Sequence, residues 1–246
     1  MSQLEDKHVA LLGLGHSQLD YHLSITHSEV YDEVWAINSM CAVVKADRVF
    51  MMDPASRFFD SYDAGGQTEV MRKTLPTLTC PVYSCEFHER VPAIEIYPLE
   101  EIVGELGCGY FNNTISYALA FAMWKRVKRL SVFGADFTYT TNMHFGELGR
   151  ACCEFWLARC MMTGMEVGVA PSSPLLDTNI SEKKRLYGYH RMENPPVVYA
   201  EDGTLKITQF SNIEQEEGVV VSIHGREDDM KPAKQAGLRP VEPVSY

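Results

Sequence analysis

Short apolar runs that end in a small or polar residue recur along the first two thirds of the chain, and helix-like segments separate them. The first run is HVALL, from His8 to Leu12, and the chain leaves it through Gly13, Leu14 and Gly15. Continuous apolar runs of this length are typical of strands buried on both faces. Strands that alternate with helices favour a parallel sheet. The sequence therefore predicts an α/β protein with a doubly wound, mainly parallel, Rossmann-like sheet.

The apolar pattern predicts seven strands in this region, with helices between most of them. Strands are predicted at residues 8–12, 33–38, 48–53, 130–136 and 165–171, with shorter ones inside 77–87 and 93–98. Helices are predicted at residues 17–24, 56–62, 111–130 and 145–164.

The pattern changes at about Thr178. The segment VVYAEDGTLKITQF predicts a hairpin that turns at Asp202-Gly203, and a polar tail follows from Glu227. We therefore predict a nucleotide-binding domain at residues 1–177 and an appendage at residues 178–246. The appendage would act as a lid or as a subunit contact in a homo-oligomer.

Charge and cysteine content narrow the functional classes. The formal net charge of -11 argues against non-specific nucleic-acid binding, which needs a basic face. It leaves room for a small anionic ligand, because a local site can oppose the global charge. The seven cysteines show no framework or zinc-site spacing, which indicates reduced thiols. We find no signal-peptide pattern and no apolar run near the ~18 residues of a membrane span, so we expect a cytoplasmic protein.

Small and polar residues follow five of the predicted strands. In open α/β sheets, ligands bind outside the carboxyl ends of the strands. Each such residue alone is more often structural, as a cap or a turn, but together they would share one edge of the sheet. The strand-end candidates are Gly13, Gly15, His16, Ser17, Asn38, Ser39, Asp53, Asp136, Ser172 and Ser173.

The first glycine turn departs from the known phosphate loops. A dinucleotide motif needs G-x-G-x-x-G/A and a later acidic residue for the ribose. Here Gln18 occupies the third position, and Asn38 ends the second strand where the acid is expected. No G-K-[ST] sequence follows, which excludes a Walker loop. What remains is a G-x-G-x-S turn whose amides and Ser17 hydroxyl would bind a nucleotide phosphate or ribose.

Two later segments add candidate residues. Asn112, Asn113 and Thr114 begin a predicted helix, where they would either cap it or contact a base or sugar. The loop after the strand at 130–136 carries Tyr139 and His144, and loops of this kind often hold functional residues. His144 is a candidate general base near neutral pH. The hydroxyls of Tyr139 and Tyr117 are candidate donors to phosphate oxygens.

These motifs occur in an order that resembles a known family. The segments LLGLGHSQ, EVWAINS, ADRVFMMD, NNTISYALAFAMWKRVKRLSVFGADFTY and VGVAPSSPLLD, with His144 between the last two, occur in that order between Val9 and Asp177. This series resembles bacterial sialyltransferases of glycosyltransferase family 42 and the wider sialyltransferase-like Rossmann group. That group, a variant of the GT-A type, includes hydroxymethylpterin pyrophosphokinase-like and phage-borne proteins.

The resemblance implies a role for each matching residue. The turn from Gly13 to Ser17 and Asn38 match positions that hold the donor nucleotide. Asn113 and Thr114 match contacts to nucleotide and donor sugar, and Tyr139 falls in the loop that supplies a tyrosine to the leaving phosphate. His144 matches the proposed general base, and Ser172-Ser173 matches a small polar turn. This chain departs from the pattern at His16, where proline is usual, and it has no clear site for a sialic-acid carboxylate.

Three functions follow as expectations. The first is a metal-independent glycosyltransferase that uses a CMP- or UDP-type nucleotide sugar, with His144, Tyr139 and Asp136 as the catalytic candidates and no further cofactor. The second is a non-catalytic protein that sequesters a nucleotide, as a phage-encoded protein would. The third is a Mg²⁺-dependent pyrophosphokinase-type transferase with Asp53 and Asp136 as metal ligands.

Overall fold

The computed structural model describes residues 4–139, 142–201 and 204–214. The contacts between residues divide the chain into two compact units, Met1–Leu176 and Asp177–Tyr246. We call them the first and the second unit and describe each by itself.

The first unit contains a seven-stranded sheet in which every neighbouring pair of strands is parallel. Its strands are β1 (His8–Leu12), β2 (Glu33–Ile37), β3 (Arg48–Phe50), β4 (Val82–Ser84), β5 (Ile94–Ile96), β6 (Arg129–Phe133) and β7 (Glu166–Val169). Their order across the sheet is β5-β4-β3-β2-β1-β6-β7. The chain therefore builds outward in one direction from β1 and later returns to its other side with β6. The predicted Rossmann-like α/β fold is confirmed.

Helices cover both faces of this sheet. They are α1 (Gln18–Thr26), α2 (Ser56–Phe59), α3 (Thr68–Thr74), α4 (Leu99–Leu106), α5 (Thr114–Trp124) and α6 (Met143–Met162). Alternate residues of β1 face opposite sides, as the pleat of a strand requires. Val9 and Leu11 belong to a core cluster with residues of α4, α5 and α6. Ala10 and Leu12 belong to a second cluster with residues of α1, α2 and α3.

The structure corrects several predicted boundaries. β3 ends at Phe50 rather than Asp53, and β6 ends at Phe133 rather than Asp136. β6 stops early because Gly134 adopts a positive φ of 68°, which breaks the extended backbone. The polar residues that we placed at strand ends therefore lie in the loops that follow the strands. The helices α3 and α4 were not predicted, because both lie in or next to the proline-interrupted stretch of residues 65–98.

The second unit is built around an antiparallel hairpin of β8 (Pro196–Glu201) and β9 (Thr204–Gln209). The predicted C-terminal hairpin is confirmed, while its turn, Asp202-Gly203, lies outside the described residues. The short helices α7 (Glu182–Arg185) and α8 (Phe210–Glu214) precede and follow the hairpin. The polar tail from Glu227 also lies outside the described residues. In the part of the chain that is described, no helix combines the length and the apolar character that crossing a membrane requires.

Candidate functional site

A cavity of about 760 Å³ opens at the carboxyl edge of the sheet. It lies where the strand order reverses, between β1 and β6, which is the usual place for a ligand in an open parallel sheet. Its walls come from the loops after β1, β2, β3 and β6 and from the first turns of α5 and α6. The volume falls inside the range of about 300–1,000 Å³ that small-molecule sites occupy.

Eight of the predicted site residues line this cavity and seven do not. The eight come from five separate segments of the chain: Gly15, Asn38, Asp53, Asn112, Asn113, Thr114, Asp136 and Tyr139. The other seven lie outside the lining: Gly13, His16, Ser17, Ser39, His144, Ser172 and Ser173. The reason differs from residue to residue.

Ser17 is buried and its hydrogen bonds are made within the protein. Its backbone N–H donates to Oδ2 of Asp136 at 2.7 Å, and its hydroxyl donates to Oδ1 of the same carboxylate. The Ser17 hydroxyl also accepts from the backbone N–H of Gly134 at 2.8 Å. Ser17 is only 1% exposed, so its side chain does not face a ligand. The pair Ser17–Asp136 joins the loop after β1 to the loop after β6.

The glycines of the first turn allow these two loops to touch. The N–H of Gly13 donates to the carbonyl of Phe133, and the N–H of Gly15 donates to the carbonyl of Gly134, both at 2.8 Å. A Cβ atom on Gly15 would lie 2.6 Å from Oδ2 of Asp136 and 2.8 Å from the Gly134 oxygen. No side chain fits there. The G-x-G pattern thus serves a close crossing of two backbones.

The carboxylate of Asp136 occupies the place where a phosphate would sit on a Rossmann turn. It accepts from the N-cap residue of α1, at the positive end of the helix dipole. The amides of Gly13, Gly15 and Ser17 all have internal partners. The predicted mononucleotide turn is therefore an internal anchor in this structure, and its geometry gives no support to phosphate binding there.

Asn38 lines the cavity in an unusual conformation. It follows β2 with φ 49°, in the left-handed region that Asn tolerates better than most residues. Its side-chain Oδ1 is buried and has no hydrogen-bond partner among the described residues. A buried acceptor without a partner costs about 1–3 kcal/mol. A donor group on a ligand would remove that cost.

Gln67 lies on the same wall and was missed by the sequence analysis. Its Oε1 accepts from the N–H of Ser39 at 3.4 Å, and the side chain lines the cavity. Gln67 directly precedes α3, in the stretch whose elements the sequence pattern did not resolve. A polar residue before an unpredicted helix carries no recognisable signal.

Asp53 and Asp136 share the cavity wall, but each has a partner. Asp53 forms an ion pair with Arg57, which also binds Asp63 at 2.9 Å. Asp136 is held by Ser17 through both carboxylate oxygens. Among residues 4–139, 142–201 and 204–214, no group of three or more His, Cys, Asp or Glu side chains is placed to hold a metal ion.

The asparagines before α5 tie that helix to α6. Asn113 caps α5 by accepting from the N–H of Ser116 at 3.0 Å, and its amide donates to the Asn112 side chain at 2.7 Å. Asn112 in turn donates to the carbonyl of Leu148 at 2.8 Å. Thr114 lines the cavity, and its hydroxyl makes no hydrogen bond to another described residue. Of the three, Thr114 keeps the most hydrogen-bonding capacity for a ligand.

Aromatic rings form another wall of the cavity. Phe111 is stacked between Tyr117, at a centroid distance of 4.3 Å, and Trp156, at 5.1 Å. Phe111 and Tyr117 both line the cavity. Burial raises the pKa of the Tyr117 hydroxyl, so it stays protonated and able to donate. Because both faces of Phe111 are covered by its neighbours, these rings give the cavity a rigid apolar wall.

His144 lies in the first turn of α6 and is exposed. A second cavity of about 450 Å³ lies beside this turn and shares Asp136, Phe137, Thr138 and Tyr139 with the larger one. The neighbours of His144 line the cavities, Met143 the smaller and Phe145 the larger. His144 itself lines neither of the two. Its role as a base stays a prediction.

The serines after β7 hold other loops in place. Both the N–H and the hydroxyl of Ser172 donate to Oδ2 of Asp20 on α1, at 2.9 and 2.7 Å. Ser173 is buried, and its hydroxyl donates to the carbonyl of Ala135 at 3.3 Å. This polar turn therefore stabilises the surroundings of the site without lining it.

The larger cavity has a definite chemical character. Its lining combines side-chain amides, threonines, aromatic rings and two carboxylates. No lysine, arginine or histidine belongs to that lining among the described residues. Such a wall suits hydroxyl and amide groups better than a chain of phosphates, which would meet two carboxylates and no cation in the lining itself.

Comparison with known proteins does not assign the chain to a family. No protein-family model matches it, and no curated protein matches its sequence. The fold is Rossmann-like, and fold alone does not determine function.

Proposed function

We propose that the larger cavity binds a nucleotide sugar and that the protein is a glycosyltransferase of the sialyltransferase-like type. The observation that carries the proposal is the convergence of eight predicted residues, from five segments of the chain, on one cavity of suitable size. The ordered motifs of the sequence support the same function. Both the cavity and the motifs concern the first unit.

The lining favours one class of donor within this proposal. The amides of Asn38 and Gln67, together with Thr114, supply donors and acceptors for a base and for ribose hydroxyls. The rings of Phe111 and Tyr117 supply a rigid apolar part of the wall. Because the lining has no cation among the described residues, a donor with one phosphate, of the CMP type, suits it better than a diphosphate of the UDP type.

In the proposed reaction an acceptor hydroxyl attacks the anomeric carbon of the donor sugar, and the nucleotide phosphate leaves. His144 is the candidate base for that hydroxyl, a role worth about 100- to 10,000-fold in rate. Tyr139, which is 46% exposed and lines both cavities, is the candidate donor to the departing phosphate. Asp136, the third catalytic candidate, has its carboxylate engaged by Ser17, so we assign it a positioning role.

A binding screen tests the ligand. Thermal shift and calorimetry would compare CMP, UMP, UDP and the corresponding nucleotide sugars. We expect CMP-type ligands to stabilise the protein. Asn38→Gly should weaken binding by about 10-fold, the effect of one lost hydrogen bond, and glycine accepts the φ of 49° without strain. Ser39→Gly is the matched control, because Ser39 lies outside the lining. Equal affinities in the two variants would contradict the proposal.

The position of His144 outside both linings favours a second candidate, a protein that binds a nucleotide without turning it over. The two functions differ in one measurement. If the protein is a transferase, wild type releases CMP from the donor and His144→Ala loses most of that release while its affinity is kept. Tight binding by wild type with no product would instead establish the non-catalytic function.

A further inference from the structure

A basic and aromatic segment of the second unit lies outside the proposed site. Residues 183–191 have the sequence KKRLYGYHR, with four lysines and arginines and no aspartate or glutamate. The chain as a whole has a net charge of -11. A local concentration of positive charge on an acidic protein creates a patch of opposite potential, which selects anionic partners.

Two tyrosines of this segment are unusually exposed. Tyr187 is 86% exposed and Tyr189 is 59% exposed. They stand on either side of Gly188, whose φ of 87° forms a turn that other residues rarely adopt. Neither hydroxyl has a hydrogen-bond partner among the described residues. Two large rings that are each exposed to solvent are available for stacking rather than part of a core.

Two arginines of this segment are held in place by the protein. The Arg191 guanidinium lies 5.9 Å from the centroid of the Tyr187 ring. Arg185 donates to the backbone carbonyls of Ile180 and Thr178, both at 3.2 Å, which fixes its guanidinium on the surface. Within the described part of the chain, Arg185 and Arg191 form no ion pair with a carboxylate. Their charge is therefore available to an external anion.

We propose that this surface, residues 183–191, binds single-stranded nucleic acid. Unpaired bases stack on aromatic side chains, while neighbouring cations contact the phosphates. Exposed tyrosines flanked by lysine and arginine supply both parts within nine residues. Paired bases hide their faces in the helix stack, so a duplex gains nothing from the two rings. The net negative charge of the rest of the chain repels phosphates, which limits the contact to a few nucleotides.

Fluorescence anisotropy with labelled oligothymidylate of about 12 nucleotides tests the proposal on the full chain. We expect saturable binding at low salt. The double variant Tyr187→Ala/Tyr189→Ala should weaken it by about 25-fold or more, since each stacked base accounts for at least about 5-fold. Raising the salt from about 50 to about 200 mM should weaken binding by about 20-fold if three phosphates are contacted. Tyr187→Phe/Tyr189→Phe keeps both rings and should bind nearly as wild type does.

The control variant is Phe87→Ala/Lys73→Ala, which removes one exposed ring and one exposed cation from the first unit. An equal loss in this control, or no loss in the double tyrosine variant, would overturn the proposal. So would equally tight binding of a duplex of the same length or of polyglutamate. Binding to phosphatidylglycerol vesicles without binding to the oligonucleotide would show a membrane-facing surface instead. The CMP screen depends on the first unit and can fail or succeed separately.

Discussion

Replacing Gly134 by alanine tests the crossing of the two loops at the site. Gly134 has a φ of 68°, and a Cβ atom there would lie 2.7 Å from the carbonyl carbon of Gly13, with the carbonyl oxygen closer still. Neither backbone can move without breaking the hydrogen bonds of Gly13 and Gly15. The substitution therefore adds backbone strain and a steric clash at the same point.

The magnitude follows from two terms. A positive φ costs a residue with a Cβ atom about 1–2 kcal/mol, and forcing an extra carbon into a closely packed contact costs about 1–3 kcal/mol more. The sum, about 2–5 kcal/mol, is a large part of the 5–15 kcal/mol that stabilises an ordinary domain. For a unit of this size it lowers the melting temperature by about 4–20 °C.

Alanine variants of two other glycines allow the conformational cost and the steric cost to be measured separately. Gly107 has a φ of 64° but open space where a Cβ atom would be, so Gly107→Ala should lose only the conformational term, about 1–2 kcal/mol. Gly104, inside α4, has neither strain nor a close neighbour, so Gly104→Ala should gain about 0.5–1 kcal/mol. Urea and thermal unfolding would rank the three variants. If Gly134→Ala were no less stable than Gly107→Ala, the close crossing of the loops would be refuted.

Three further predictions concern the same unit. Burial lowers the pKa of His8 below its ordinary 6.5, so the imidazole is protonated in the unfolded chain at a higher pH than in the folded protein. The free energy of unfolding should therefore fall as the pH drops below about 6.5. Unfolding measured at several pH values should show a smaller decline in His8→Gln. Asp136→Ala leaves the buried N–H of Ser17 without its acceptor and should cost about 1–3 kcal/mol by urea unfolding, whereas an unchanged midpoint would dismiss the anchor. A thiol reagent should modify the exposed Cys85 of the native protein first, whereas the buried cysteines should react only after unfolding. Mass spectrometry of timed samples would show this order. The buried cysteines are Cys41, Cys152, Cys153 and Cys160.

The strands and their direction could be predicted because their signal is local. The apolar run of β1 predicted its bounds, His8–Leu12, without error. Strands that are buried on both faces and alternate with helices form a parallel sheet, because each helix returns the chain to the same end of the sheet. The parallel direction then placed the strand-end loops on one edge, which is why eight of the candidates meet in one cavity.

The internal use of Ser17 and Asp136 could not be predicted in this way. The two residues are 119 positions apart, and their contact depends on how closely the loops after β1 and β6 approach. A glycine-rich turn that binds phosphate and one that admits another backbone have the same sequence pattern. Gln67 was missed for a different reason, since the helix that it precedes has a weak pattern. Local patterns thus predict which loops meet at an edge, but not which side chains remain available there.

The order of the strands also affects how the chain folds as it is synthesised. β1 pairs with β2 on one side and with β6 on the other, and Ser131 of β6 follows His8 by 123 residues. At about 5–20 residues per second, β1 leaves the ribosome about 6–25 s before its second neighbour. During that interval one edge of β1, a strand buried along its whole length in the native fold, has no partner from its own sheet, so the nascent chain is exposed to aggregation through this strand.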